Sequence, residues 1–276
     1  MRISFSTGSF YHRGLGYSLG LARDLGFDGV ELALGPEYLY LGTERVERVA
    51  RSFRIPVLSV HPPFFPLPGW PRRAPQRIAR VAEVSRRLGA ELFVVHAPSI
   101  ISLESARAKR YTLALRLGRE LAGEQIGIAL ENTQYGTRGK YFRFDDTRAL
   151  ADYAQAQGCG LTLDTCHAGA NGEDLLACYA IMRPALRNVH LSDVRWRDGE
   201  PVTHRLPGTG TLPLRAFLGA LARDSYDGLV TLEIHPRQLR LVGRRHHAEL
   251  LGQALAFVRA AIAQPAAEAA RPEAGV

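Results

Sequence analysis

An α/β fold, a single-domain (β/α)8 TIM barrel, is what this sequence predicts, on three observations. Short apolar runs with strand character alternate with amphipathic helical stretches from end to end. Eight such units can be counted, and eight parallel strands close a barrel. The length of 276 residues is long for a generic domain but natural for one barrel of about 250 residues.

In chain order the expected elements are as follows. The first strand is Ile3 to Thr7, with a helix from about Tyr17 to Leu25 stopped by Gly26. The second strand, Gly29-Val-Glu-Leu-Ala-Leu34, leads to a helix over Thr43 to Phe53 with Thr43 as its cap. The third, Val57-Leu-Ser-Val-His61, leads to a helix from Pro75 to Leu88 that stops at Gly89. The fourth, Leu92-Phe-Val-Val-His96, precedes a helix over Leu103 to Leu121, and the fifth, Gly127-Ile-Ala-Leu-Glu131, one over Asp146 to Gln157. The sixth, Leu161 to Leu163, ends in Asp164, followed by His167, a Gly/Asn-rich turn over Gly169–Gly172 and a helix from Glu173 to Arg183. The seventh is Asn188 to Ser192 with a helix over Leu214 to Asp224, and the eighth is Leu229 to Glu233 with a helix over Arg245 to Ala263. Strands this continuously apolar belong to a parallel sheet covered on both faces. The barrel is expected over residues 1–263. The Pro/Ala/Glu-rich stretch 264–276 has nothing to bury and is expected to be a disordered tail.

With 46% apolar and 22% charged residues, the composition is that of a soluble globular protein. No apolar run reaches the roughly 20 residues that cross a bilayer, so no membrane partner is expected. Cys159, Cys166 and Cys178 are an odd number without metal-type spacing, and no signal peptide is visible, so a reducing cytoplasm is the expected compartment. The net charge of +8 and pI near 9.7 raise the question of nucleic acid. Of the 35 basic residues only Lys109 and Lys140 are lysines. The arginines are scattered over many helices and loops, which suits codon usage or a warm habitat as well as a phosphate-bearing ligand or nucleic acid.

Function is read at the strand ends. Glu31 lies in the second strand; His61, His96 and Glu131 end the third to fifth; Asp164 ends the sixth, with His167 beyond; His190 lies in the seventh, with Asp193 beyond; His204 follows in the loop; Glu233 ends the eighth, followed by His235. One Asp-x-x-His alone is weak, because Asp164 could cap a helix and His167 could be a surface residue. Repetition decides otherwise: the C-terminal end of a barrel is where such folds place their chemistry, and so many ligand-capable groups there cost several kcal/mol each in desolvation unless a cation holds them. Glu131, Asp164, His190 and Glu233 come from neighbouring strands. Three carboxylates and an imidazole suit a divalent Mn, Co, Mg or Zn ion. His61 and His96 could form a second, softer site with Glu131 bridging, and His167 with His204 part of a third.

These strand ends, with Val60-His-Pro-Pro63, Val95-His-Ala-Pro98, Leu130-Glu-Asn-Thr133, Val189-His-Leu-Ser-Asp193 and Pro207-Gly-Thr-Gly210, resemble the xylose isomerase-like TIM-barrel superfamily. That superfamily includes sugar isomerases and epimerases and the endonuclease IV type of abasic-site endonuclease. In the first branch, the resemblance implies a sugar or sugar-phosphate isomerase or epimerase. Glu131, Asp164, His190 and Glu233 would hold the metal, Glu131 and Glu233 would move the proton through a metal-stabilised enediolate, and Glu31, His167 and Arg197 would bind the substrate. In the second branch, it implies a zinc phosphodiesterase acting on DNA. There His61, His96, His167 and His204 would join the ligands, but Val202 stands where that branch has an Asp. Glu31 in its Gly-Val-Glu-Leu context and Val202 favour the first branch; the His61/His96 pair and the basic charge favour the second.

Four further stretches admit two readings each. Gly208-Thr-Gly210 is a plain turn or a phosphate cradle. The loop Phe64-Phe-Pro-Leu-Pro-Gly-Trp70 is a lid or homo-oligomer contact, or a wedge into DNA through Phe64 and Phe65. Arg244-Arg-His-His247 puts positive charge at a helix N-terminus, which hints at an anion. Cys166, between two candidate ligands, reads as a buried bystander thiol.

Overall fold

In a computed structural model, which describes residues 1–64, 67–239 and 243–264, all eight expected strands are found. They are β1 (Arg2–Ser6), β2 (Gly29–Ala33), β3 (Val57–His61), β4 (Leu92–His96), β5 (Gly127–Glu131), β6 (Gly160–Asp164), β7 (Leu186–Leu191) and, last, β10 (Leu229–Leu232). They pair in parallel and close in the order β1-β10-β7-β6-β5-β4-β3-β2. The outer ring comprises α1 (Leu15–Leu25), α2 (Pro36–Phe53), α3 (Ala74–Leu88), α4 (Ala106–Ala122), α5 (Thr147–Ala156), α7 (Leu175–Met182), α8 (Leu214–Arg223) and α10 (Arg244–Ala263).

Each strand alternates. Val30, Leu32, Val60, Val95, Leu130, Leu161, Leu163, Val189, Leu191, Val230 and Leu232 face outward into the main core beneath the helices. Leu58, Leu92, Val94, Ala129 and Leu229 form a separate apolar plug inside the barrel. Above the plug the interior turns polar. Ser4 Oγ lies 2.7 Å from Thr231 Oγ1, the Thr231 hydroxyl donates to Asn188 Oδ1 at 2.9 Å, and Asn188 Nδ2 donates to Glu31 Oε2 at 3.4 Å. Because side chains two apart on a strand share a face, the next inward layer holds His61, His96, Glu131, Asp164, His190 and Glu233. Register supports this, since His96 pairs with Glu131 and Asp164 with His190.

Element ends differ from expectation where local chemistry intervenes. The helix expected from Thr43 to Phe53 follows the non-helical Gly42, φ 73°, and an unexpected helical segment from Pro36 precedes it. The helix expected from Leu103 begins at Ala106, because the Ser105 side chain accepts the Ala108 N–H and caps it. Besides short 3-10 turns, the structure adds elements that were not expected: α6 (Thr165–Ala170), α9 (Pro236–Leu239) and an antiparallel hairpin of β8 (Asp193–Arg197) and β9 (Glu200–Arg205). The expected tail, beyond Gln264, and Phe65 of the apolar loop lie outside the described residues.

Candidate metal centre

The inward layer brings nearly all the expected ligands together. One ligand atom each from Glu131, Asp164, His190 and Glu233 lies within 4.8 Å of the other three, and all four residues are buried. Two further groups meet the same limit: His61, His96 and Glu131, and Asp164, Cys166, His167 and His204.

Glu131 is the hub. Its Oε2 is 3.2 Å from His61 Nε2 and 3.3 Å from His96 Nε2. Its Oε1 faces the other way, 3.1 Å from His190 Nδ1 and 3.7 Å from His167 Nδ1. Nδ1 of His61 lies 2.6 Å from the Pro62 carbonyl, and Nδ1 of His167 lies 3.0 Å from the Asn132 carbonyl. A proton on each of those nitrogens leaves Nε2 free as a ligand or acceptor.

His190 sits among three carboxylates. Its Nδ1 is 2.7 Å from Glu233 Oε2, and its Nε2 is 3.2 Å from Glu31 Oε2. Burial alone would push its pKa down, but Glu31, Glu233 and Glu131 outweigh burial and hold it well above the ordinary histidine value. Burial would raise the two reciprocal carboxylates; His190 and His96 instead pull Glu131 well below its usual range, and His190 draws Glu233 down to about 2. The imidazole and the carboxylates therefore favour each other's charged forms across this buried cluster.

Asp164 has two roles. Its Oδ1 caps α6 by accepting the His167 N–H at 2.8 Å, and this cap leaves the other carboxylate oxygen on the side of the cluster. Its buried Oδ2 has no hydrogen bond and lies 3.6 Å from His167 Nδ1. A buried carboxylate oxygen without a hydrogen bond at the rim of a His/carboxylate cluster has the chemistry of a metal ligand. The strand end is braced by Asn132, whose side chain accepts the Asp164 N–H at 2.7 Å and donates to the Asp164 carbonyl at 3.1 Å.

Residues 19–261 match a family described as the xylose isomerase-like TIM barrel. The chain belongs to that family. An uncharacterized protein of Mycobacterium leprae is 27% identical over 280 residues, covering 94% of this chain and 97% of its own. Fructoselysine 3-epimerase of Escherichia coli O157:H7 is 24% identical over 232 residues, covering 77% and 82%. Among solved structures, D-psicose 3-epimerase of Clostridium cellulolyticum H10 superposes with a TM-score of 0.70 at 16% identity, covering 95% of this chain and 99% of that one; at that identity the likeness is one of fold.

Within this xylose isomerase-like barrel several expected site residues take other places. Glu31, read as substrate-binding, lies one layer deeper. It is fully buried, and its Oε2 accepts from Ser59 Oγ at 2.9 Å and lies beneath His190. Arg197 lies at the outer end of the hairpin, its side chain 82% exposed and 3.6 Å from Asp198. Asp193 turns away from the metal centre. Its two oxygens accept the backbone N–H groups of Val194, Gly208, Gly210 and Leu212 at 2.9 to 3.1 Å. The phosphate-cradle reading of Gly208-Thr-Gly210 fails for that reason, since a carboxylate already occupies both glycine amides. The anion hint at Arg244-Arg-His-His247 also dissolves: Arg244 pairs with Asp24 at 2.7 Å, Arg245 with Glu249 at 3.2 Å, and His247 Nδ1 lies 2.6 Å from the Tyr17 hydroxyl. Cys166 is fully buried, yet its sulfur is within 4.8 Å of the Asp164, His167 and His204 ligand atoms, closer to chemistry than a bystander. His204 reaches that group from a left-handed backbone, φ 48°, a conformation costly for a residue with a Cβ and often found at functional sites.

Proposed function

We propose that this protein is a divalent-metal-dependent sugar or sugar-phosphate isomerase or epimerase that works by proton transfer next to a carbonyl. The observation that carries the reading is the buried Glu131–Asp164–His190–Glu233 cluster at the barrel mouth, with the 3-epimerase among its relatives adding the reaction class. Those four residues would hold the ion, which supplies Lewis acidity that lowers the cost of an enediolate. Glu131 and Glu233 are the two carboxylates of that set suited to exchange a proton with the substrate. One carboxylate takes the proton from the carbon beside the carbonyl. The other, starting in its protonated form, gives its proton to the opposite face of that carbon, inverting it, and is left ionised until water restores the pair; in an isomerase the proton goes to the neighbouring carbon instead, while a hydroxyl proton passes between the two oxygens. Nε2 of His167, left free by the Nδ1–Asn132 contact, can orient a sugar hydroxyl. The expected partner is a small carbohydrate, and among the described residues no helix is long and apolar enough to cross a membrane.

The test is exchange of solvent deuterium into a panel of ketoses and ketose phosphates, followed by NMR with Mn, Co or Mg supplied. Glu131→Gln and Glu233→Gln should each lower exchange by about 10²- to 10⁴-fold. Absence of exchange in every sugar with a metal-loaded protein would refute the reading.

A second reading, a zinc-dependent endonuclease IV-type phosphodiesterase, is favoured by one feature: Glu131 offers its second oxygen to His61 and His96, the shape of a bridged pair of ions. Position 202 is Val in β9, so the third group has no carboxylate from there. Two or three zinc ions per chain, with incision of duplex DNA at an abasic site, would establish it. One ion per chain would count against it.

A further inference from the structure

Beside the metal centre, between α3 and α4, lies a cleft of about 900 Å³ lined by Arg72, Arg73, Arg77, Arg107 and Arg110, with His96 and Tyr111 also in its wall. No Asp or Glu lines it. Among the described residues none of these five arginines has a carboxylate within 4 Å. The arginines also stand at the wrong helix ends. Arg73 is the N-cap of α3 and Arg107 lies in the first turn of α4, and neither helix has an acid in its first turn. Positive side chains there oppose the helix dipole, and neighbouring like charges repel. An anion in the cleft relieves both penalties at once.

The cleft also communicates with the reaction centre. His96 lines it and, through Nε2, lies 3.3 Å from Glu131 Oε2. Tyr111 donates to the His96 carbonyl at 3.0 Å, fixing the shared wall. An adjoining cavity of about 720 Å³ shares Arg72, Arg77, His96 and Tyr111 and adds an apolar side with Pro62 and Trp70. Together they form a passage suited to a ligand with a strongly anionic end and a short polar body.

We propose that this arginine cleft binds a phosphate group, and that the substrate is a phosphorylated sugar whose phosphate sits among these arginines while its carbonyl end reaches Glu131 past His96. The proposal rests on the carbohydrate reading of the metal centre and narrows it. Guanidinium groups match phosphate oxygens bidentately, and five of them exceed what a single carboxylate needs. The polyanionic alternative, nucleic acid, is an outcome of the test.

The chain has two tryptophans; in a Trp196→Phe background, Trp70 beside Arg72 and Arg77 reports on the cleft. Titrations with inorganic phosphate, D-fructose and D-fructose 6-phosphate should show the phosphorylated sugar binding about 10- to 100-fold more tightly than the neutral one, with inorganic phosphate competing. Arg107→Gln/Arg110→Gln and Arg72→Gln/Arg77→Gln alter exposed side chains; each pair should abolish that preference while leaving the melting temperature and the affinity for Mn unchanged. Equal binding of the two sugars, or a preference that survives both double variants, would overturn the proposal. So would binding of a 20-base-pair duplex through these arginines that neither phosphate nor the sugar phosphate displaces. Repeating the titration on Glu131→Gln separates the two readings: phosphate binding retained in a protein whose parent exchanges no proton in any sugar would refute the proposed function and leave the anion site standing.

Discussion

Glu31→Gln should weaken metal binding without touching the metal. The carboxylate lies beneath His190, and its Oε2 gathers three donors: Ser59 Oγ at 2.9 Å, His190 Nε2 at 3.2 Å and Asn188 Nδ2 at 3.4 Å. Glutamine keeps an oxygen able to accept all three but removes the charge that holds the proton on Nε2. That proton directs the Nδ1 lone pair of neutral His190 upward, toward Glu131 and Glu233, where the ion is expected. Carboxylates that orient a ligating histidine in this way are worth about 10- to 100-fold in metal affinity, or about 1.4 to 2.7 kcal/mol. The assay is Mn titration of chelator-stripped protein by calorimetry, with a melting curve of the metal-free variant to establish that the barrel is intact. A folded variant with Mn affinity within twofold of the parent would refute the claim that Glu31 aims His190.

Three further outcomes are expected. Because metal-free His190 is held above the ordinary histidine value, an incoming ion must displace its proton. Affinity should therefore rise with pH through neutrality, by up to about tenfold per unit below the raised pKa, and calorimetry in buffers of different ionisation enthalpy should record at least one proton released per ion. An affinity flat between pH 6 and 8 would contradict this. Asp193→Asn replaces one of the two oxygens that take the four amides of Val194, Gly208, Gly210 and Leu212 with a donor. Denaturant unfolding should show a loss of about 2 to 4 kcal/mol, and no loss would mean that the loop is held elsewhere. Gly118→Ala would drive a Cβ into Ile78 Cγ2 where α3 meets α4, so overpacking should cost about 1 to 3 kcal/mol in the same assay; an unchanged midpoint would show that the helix pair has slack.

The barrel and the candidate ligand layer were legible because period-two alternation survives in short strands: polar residues such as His190 and Thr231 interrupt apolar runs at inward positions. Glu31 was found but set at the wrong depth. A strand pattern gives the face of a residue and not its height in the barrel, which depends on register against β1 and β3. The hairpin was missed although it was announced. Arg197-Asp-Gly-Glu200 contains the Asp-Gly pair of a two-residue hairpin turn, and both turn residues are left-handed, φ 53° at Asp198 and 82° at Gly199. Its strands, Asp193–Arg197 and Glu200–Arg205, are too polar to read as strands by hydrophobicity. The arginine cleft could not be read at all, because Arg72–Arg77 and Arg107–Arg110 are separated by a whole strand–helix unit and meet only in three dimensions.

The polar thread Ser4–Thr231–Asn188–Glu31–His190 crosses the seam where β1 meets β10. The first and last strands of the barrel therefore complete, by pairing, the support of His190, the proposed metal ligand. Until the seam closes, Glu31 on β2 does not reach beneath His190 on β7, and the imidazole lacks its brace. A metal that needs the braced His190 would bind the closed barrel and not one still open at that seam. It should act on the escape rate from the native state rather than on the approach to it: loaded protein should unfold more slowly, and refold no faster, than the metal-free chain. An ion that recognises only the shut barrel acts as a latch, and persistence of the native state would track metal supply.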